Sequence, residues 1–149
     1  MTVTRDIARL VDVSEHLDTV TRWLLDEWPA PALSFQVRRS RLLHTPDCPP
    51  TLVALSAGSP CGVIAFARFV REGDERASLF IDALWVHQLA RGQGIGSALL
   101  NAAADAAIAF ESRLFVHTAL APWYQRRGWT VVSVGDDCDH FVLERRLTA

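Results

Sequence analysis

Residues 91–100 read Arg91-Gly92-Gln93-Gly94-Ile95-Gly96-Ser97-Ala98-Leu99-Leu100, three alternate glycines between an apolar run, Leu79 to Val86, and an alanine-rich amphipathic stretch. A strand, a tight loop and the start of a helix account for that order. Glycine opens backbone conformations closed to other residues and lets a ligand approach the main chain. The first turn of the following helix offers unpaired N–H groups and the positive end of a dipole, so the segment suits a phosphate. Two common phosphate loops do not fit it. A Walker loop requires Gly-Lys-Ser/Thr, whereas the chain has no lysine and all 15 of its Lys+Arg residues are arginine. A dinucleotide loop requires glycine at the last place of G-x-G-x-x-G; counted from Gly92 that place holds Ser97, and counted from Gly94 it holds Leu99.

A length of 149 residues suits one compact domain over residues 1–149, and an apolar half provides for a sizeable core. A net charge of -2 and a pI of about 6.2 give no general drive toward nucleic acid, which leaves small or locally charged partners. Met1 to Arg9 lacks the apolar core of a secretory signal, and no run approaches the roughly 20 apolar residues of a membrane span. A cytoplasmic protein with no membrane contact is expected. Cys48, Cys61 and Cys138 show neither a paired framework nor C-x-x-C spacing, so neither disulfides nor zinc are expected. Without lysine there is no Schiff-base chemistry.

Along the chain, Thr2 to Arg9 reads as a strand. Asp12 and Glu15 have capping-box spacing ahead of a helical stripe of Val13, Leu17, Val20, Leu24 and Trp28, stopped by Pro29 and Pro31. Ser34 caps a second helix carrying Phe35, Leu42 and Leu43, ended by Pro46 and Cys48-Pro49-Pro50. Thr51 to Ala57 and Cys61 to Val70 are strand-like runs joined by Gly58-Ser59-Pro60, and the charged turn Arg71 to Arg76 leads to a third run ending at Val86, an antiparallel meander. Gly94 to Phe110 places Ile95, Leu99, Ala102, Ala106 and Ala109 on one helical face, with Asn101, Asp105 and Glu111 off it. Leu114 to Thr118 is a strand, Pro122 to Arg127 a short helix, Trp129 to Val134 a strand, and His140 to Arg145 a final strand after the acidic turn Asp136, Asp137 and Asp139. That turn lacks the alternating oxygen ligands of a calcium loop. No repeat, linker or low-complexity tract interrupts the order.

The pattern Arg-x-x-Gly-x-Gly, filled by Arg91, Gly94 and Gly96, resembles the acyl-CoA loop of the GNAT superfamily of N-acetyltransferases, in its small single-domain bacterial type. Leu84-Trp85-Val86-His87 resembles that family's fourth strand, and Trp123-Tyr124-Gln125-Arg126-Arg127-Gly128-Trp129 its later aromatic-Tyr-x-x-x-Gly-aromatic segment. The likeness covers roughly residues 50 to 145. It implies an α/β fold of the α+β type: a mixed, mostly antiparallel central sheet flanked by helices, whose fourth and fifth strands start parallel and splay into a cofactor cleft. Pantetheine would lie there like an added strand, its amides meeting main-chain groups near Leu84, Trp85 and Val86. The N–H groups of Gly92, Gln93, Gly94, Ile95, Gly96 and Ser97 would take the pyrophosphate, and Arg91 would add charge through a guanidinium able to hold phosphate bidentately. Ile95 and Leu99 also read as core residues.

The resemblance implies acetyl-CoA as cosubstrate, no metal, and transfer to a primary amine in a ternary complex. No activated serine or Cys–His pair suggests a covalent acyl-enzyme, and strand backbone would help the oxyanion. Tyr124, the single tyrosine, falls where the family protonates the departing thiolate. With reference pKa values near 10 for phenol and about 8.5 for a thiol, full transfer is uphill and a hydrogen bond is the better description. An aromatic packed between Trp123 and Trp129 would read the same way. Asp82 should share a strand face with Leu84 and Val86 unless a bulge intervenes, and is the candidate to relay the amine's proton through water; a hydrogen-bonded strand residue is the alternative. Asp26 and Glu27 could draw in an amine, Trp28 could line its pocket, and His87 or His117 could titrate near neutrality. Trp23, Trp85 and Trp129 read chiefly as core. The acceptor is a small-molecule or peptide amine, an antibiotic among the options, with no nucleic acid partner; a homodimer stays open. From another class, a noncatalytic acyl-CoA-binding regulatory module has the same loop.

Overall fold

The computed structural model describes residues 5–29, 34–135 and 139–148. Pro31, Asp136, Asp137, Cys138 and the first residues of the opening strand lie outside them. The strands are β1 (Arg5–Arg9), β2 (Leu52–Ser56), β3 (Ser59–Val70), β4 (Ala77–Val86), β5 (Arg113–Thr118), β6 (Thr130–Val134) and β7 (Phe141–Arg146). They form one sheet in the order β1-β2-β3-β4-β5-β7-β6. Every neighbouring pair is antiparallel except β4 and β5, which run parallel. The helices are α1 (Leu17–Glu27), α2 (Phe35–Leu43), α3 (Ile95–Ala107) and α4 (Ala121–Gln125).

Each sheet face has its own core. On one, Ile64, Phe66, Leu79 and Ile81 meet Leu99, Leu100, Ala103 and Ala107 of α3. On the other, Val53, Val63, Ala65 and Ala83 meet Leu10, Leu17, Val20, Leu24 and Leu42. Burying a leucine or valine side chain stabilises by about 1.5–3 kcal/mol, so the α1 stripe of Leu17, Val20 and Leu24 is enough to seat that helix. The face of α3 differs from expectation. Ala102 and Ala106 are only half-buried and Ala109 lies exposed beyond the helix, while Leu100, Ala103 and Ala104 join the core. Alanines at almost every turn of this segment leave its apolar phase nearly free, and the bulky Leu99-Leu100 pair decides it.

The capping box before α1 does not form. Residues Leu10–His16 are a 3₁₀ segment broken by the non-helical backbone of Val13, and Asp12 instead accepts from Arg9 at 2.8 Å. Trp28, expected on the stripe, follows α1 and is 48% exposed. Ser34 does cap α2, its Oγ accepting from the Val37 N–H at 3.2 Å. Cys48 is a free thiol, and Cys61 is buried, its Sγ donating to the Ala54 carbonyl at 3.4 Å.

A bulge in β4 positions everything that follows. Ala83 pairs with Ala65 and Ile81 with Phe66, leaving Asp82 as the extra residue. Leu79 and Ile81 face α3, but beyond the bulge it is Leu84 and Val86 that pack there, while Ala83 and Trp85 turn to the α1 side. Asp82 therefore does not share the face of Leu84 and Val86, and the expectation from simple alternation is overturned. Its carboxylate turns to α2, where Arg38 donates to Oδ2 at 2.8 Å.

Candidate active site

Strands β4 and β5 pair only at Phe80 with Phe115 and Ile81 with Val116. The bulge comes next on β4, and past it the two strands part. Leu84, Trp85 and Val86 keep β3 on one side and, among the described residues, have no strand partner on the other. The opening leads into a cleft of about 490 Å³ lined by Glu27 and Trp28, by Leu84–Val86, by Ala90–Gly92, by Gly94–Ser97, and by Leu120, Trp123, Tyr124 and Arg127.

The loop at its floor owes its shape to Gly94, which caps α3 with φ of 82°. An L side chain strains there, though a Cβ would meet no protein atom within 4 Å and would point into open space. Ala98 N–H already bonds to the Gly94 carbonyl, so the N–H groups of Ile95, Gly96 and Ser97 are those the helix itself leaves without a partner. Gly96 serves differently. A Cβ there would lie 3.4 Å from the Trp123 ring, so a small residue lets α4 close on the first turn of α3. Arg91 donates through Nε to the Val86 carbonyl at 2.8 Å and lies 5.8 Å from the centre of the Trp85 ring. Gln93 lines a separate hollow with Trp23 and His87 rather than the cleft. His87 caps the short turn before the loop, its Nδ1 accepting from Leu89 N–H at 3.2 Å.

Tyr124 is 4% exposed and stands between Trp123 and Trp129, with ring centroids 4.9 and 5.4 Å away, both edge-on. Burial pushes its phenol up to about 12, against a smaller opposing pull from the Arg127 charge. The group stays a proton donor throughout the neutral range. Leu120, Ala90 and Arg127 join the lining beyond the residues expected there. Arg127 was visible inside the motif, three residues after Tyr124 and so on the next turn, a spacing that itself points to the same wall.

The remaining candidates separate. Asp82 and His117 line a second cavity of about 750 Å³ on the other stretch of the β4–β5 opening, with Phe69, Val70, Arg71, Glu72, Val132 and Val134. His117 stacks on His140 at 5.2 Å. Asp26 is exposed and lines neither cavity, whereas its neighbours Glu27 and Trp28 border the cleft. Trp23 and Trp85 pack together at 4.9 Å, half-buried, and Trp129 is buried. Among the described residues no group of three or more His, Cys, Asp or Glu is placed to hold a metal ion, and no helix is long and apolar enough to cross a membrane.

Solved structures share this architecture. Ard1 from Thermoplasma volcanium superposes with a TM-score of 0.73 at 16% identity, over 99% of this chain and 100% of that one. Aminoglycoside 6′-acetyltransferase type Ii gives 0.73 at 15% identity, over 97% and 98%. N-acetylglutamate synthase from Neisseria gonorrhoeae, in complex with coenzyme A and N-acetyl-glutamate, gives 0.68 at 20% identity, over 100% of this chain and 36% of that one. At such identities the likeness concerns the fold. No curated protein matches the sequence. The sequence pattern of the acetyltransferase (GNAT) family, however, matches residues 17–129, from the start of α1 through the glycine loop to the tryptophan behind Tyr124. The chain belongs to the acetyltransferase (GNAT) family.

Proposed function

We propose that this chain transfers an acetyl group from acetyl-CoA to a primary amine by direct attack, with both substrates bound at once. What supports the reading most is a cleft opened by a parallel strand pair, floored by a glycine turn at a helix N-terminus and walled by the buried Tyr124. The residues present suit the donor. The free edge of Leu84–Val86 offers main-chain groups to the pantetheine amides, and the N–H groups of Ile95, Gly96 and Ser97 suit pyrophosphate. Arg91 adds charge. On the same strand the Trp85 indole N–H is buried with no acceptor among the described residues.

Acetyl-CoA supplies the acyl group as a thioester, and the chain supplies position and protons. Glu27 and Trp28, at the cleft's rim, draw in the amine as its ammonium, a carboxylate beside an aromatic face being a favourable setting for a cation. The ammonium first gives a proton to water. Its nitrogen then bonds to the carbonyl carbon, the C–S bond breaks with its electron pair going to sulfur, and the nitrogen loses a second proton to solvent. Tyr124 donates a hydrogen bond to the sulfur as charge develops. Asp82 is bonded to Arg38 and lines the neighbouring cavity, so it acts on this chemistry only through water.

Incubation with acetyl-CoA and a panel of amines (amino acids, peptide N-termini, aminoglycosides, polyamines) tests the reading. The expected result is amine-dependent release of free thiol and one product heavier by an acetyl group. Binding of acetyl-CoA with no amine-dependent thiol would instead favour the regulatory module.

A further inference from the structure

Arg127 differs from two other half-buried arginines. Arg38 and Arg68 are each closed by a carboxylate, Asp82 and Glu111 respectively. Among the described residues no carboxylate lies within ion-pair distance of Arg127, although its side chain is half-buried and lines the cleft. Its partners are neutral: Nε donates to Ser97 Oγ at 2.8 Å, Nη1 donates to the Trp123 carbonyl at 2.8 Å, and the guanidinium lies over the Trp123 ring at 3.8 Å. A guanidinium has five N–H donors, so two hydrogen bonds leave three. Taking a cation out of water without an anion is unfavourable, and a wall with such a cation is prepared for a negative ligand.

The Ser97 bond adds a second reason. Ser97 stands on the first turn of α3, where its own N–H has no helical acceptor. By accepting from Arg127, its hydroxyl oxygen keeps its proton free to be donated elsewhere. One bond thus fixes a charge, a hydroxyl donor and a main-chain donor beside one another, and does so between α3 and the turn following Tyr124.

We infer that Arg127 is a phosphate-binding and positioning residue, holding the donor's anionic end from the α4 side and tying the helix turn that carries Tyr124 to the loop that carries the donor. It rests on the acetyl-CoA reading above. Arg91, which reaches the cleft from the strand side and is bonded to the Val86 carbonyl, supplies charge but no such link.

Calorimetric titration with two ligands tests the inference: coenzyme A, and pantetheine, which has the same thiol arm without phosphates. Arg127→Gln should weaken coenzyme A by about 10- to 100-fold, the range for hydrogen bonds to charged groups, and leave pantetheine within about twofold of the parent. Arg127→Lys keeps the charge and loses the fork, so it should recover part of the preference for coenzyme A. The affinity of the parent for coenzyme A, and not for pantetheine, should fall with added salt. Equal losses for both ligands in a folded Arg127→Gln protein, or none, would overturn the assignment and leave Arg127 a purely structural strut. Should Arg127→Gln fail to fold, Arg127→Lys decides: an unchanged ratio of the two affinities, with no salt dependence in the parent, overturns it. A parent protein with no affinity for coenzyme A would overturn the donor reading along with it.

Discussion

The cleft and the cavity beside it are built from the same two strands yet by opposite means. The cleft is walled by elements locked together at close range: Gly96 under the Trp123 ring, Arg127 across to Ser97, Arg91 onto the Val86 carbonyl. The second cavity is walled by the end of β3 and the edge strand β6, where Val70 and Val134 are 61% and 60% exposed. Side chains at such positions change with small effect on the fold, whereas those of the cleft are tied to one another. The difference sets what each kind of substitution should do.

The largest effect should come from Tyr124→Phe. The ring packing with Trp123 and Trp129 is kept and the hydroxyl lost, so turnover should fall by about 10² to 10⁴-fold, in kcat rather than KM. Single-turnover measurement removes any masking by product release, and a rate equal to the parent's would make Tyr124 a packing residue. Gly94→Val should be next, lowering coenzyme A affinity at least tenfold through a left-handed backbone hostile to a β-branched residue and a side chain projecting into the cleft. Gly96→Ala is its control, since the added methyl meets Trp123 at an ordinary contact distance, and should cost only a few-fold.

Changes outside the cleft should leave the donor site alone. Val134→Glu, in the second cavity, is expected to keep coenzyme A affinity within about twofold of the parent's; a changed donor affinity would mean that the two cavities are not independent. Asp82→Asn should lower thermal stability, by about 1–2 kcal/mol, because Arg38 keeps a half-buried charge with a weaker partner. Turnover should drop less than for Tyr124→Phe. The smallest effect is spectroscopic. With one tyrosine in the chain, ultraviolet titration reports Tyr124 alone, and tyrosinate should form near 12 instead of near 10. The folded value lies above the unfolded one, so the associated stability is fully present below about pH 10 and is lost as pH rises toward 12. A midpoint near 10 in folded protein would show that the phenol is not desolvated.

How much of this was legible in the sequence depended on how sharply each residue constrains its neighbours. Gly94 and Gly96 announced a loop because nothing else fits as well, and the two tryptophans flanking Tyr124 marked its wall. The phase of β4 was not legible. Residues 79–86 are apolar at every position but Asp82, so alternation cannot say which side faces which helix, and one extra residue passes unseen. The failed capping box teaches the same lesson locally: Asp12 and Glu15 have the right spacing, but Arg9 lies as near to Asp12 in sequence and takes its carboxylate. Arg127 is a different case. Its spacing from Tyr124 points to the same wall, but nothing in the Arg126-Arg127 pair, in the turn after α4, shows the bond to Ser97, thirty residues earlier.

The bulge at Asp82 gives β4 two reading frames joined at one residue. Replacing Asp82 changes the chemistry of a side chain and leaves both frames alone. Removing it would leave Ile81 opposite Phe66 and Ala83 opposite Ala65 in an unbroken ladder, with every later side chain on the face it has now, and would erase the bulge past which β4 and β5 part. The strand is therefore tolerant of spelling and intolerant of length at this point, and family members that diverge freely in what stands here should still agree in how many residues separate the strand's start from the glycine loop.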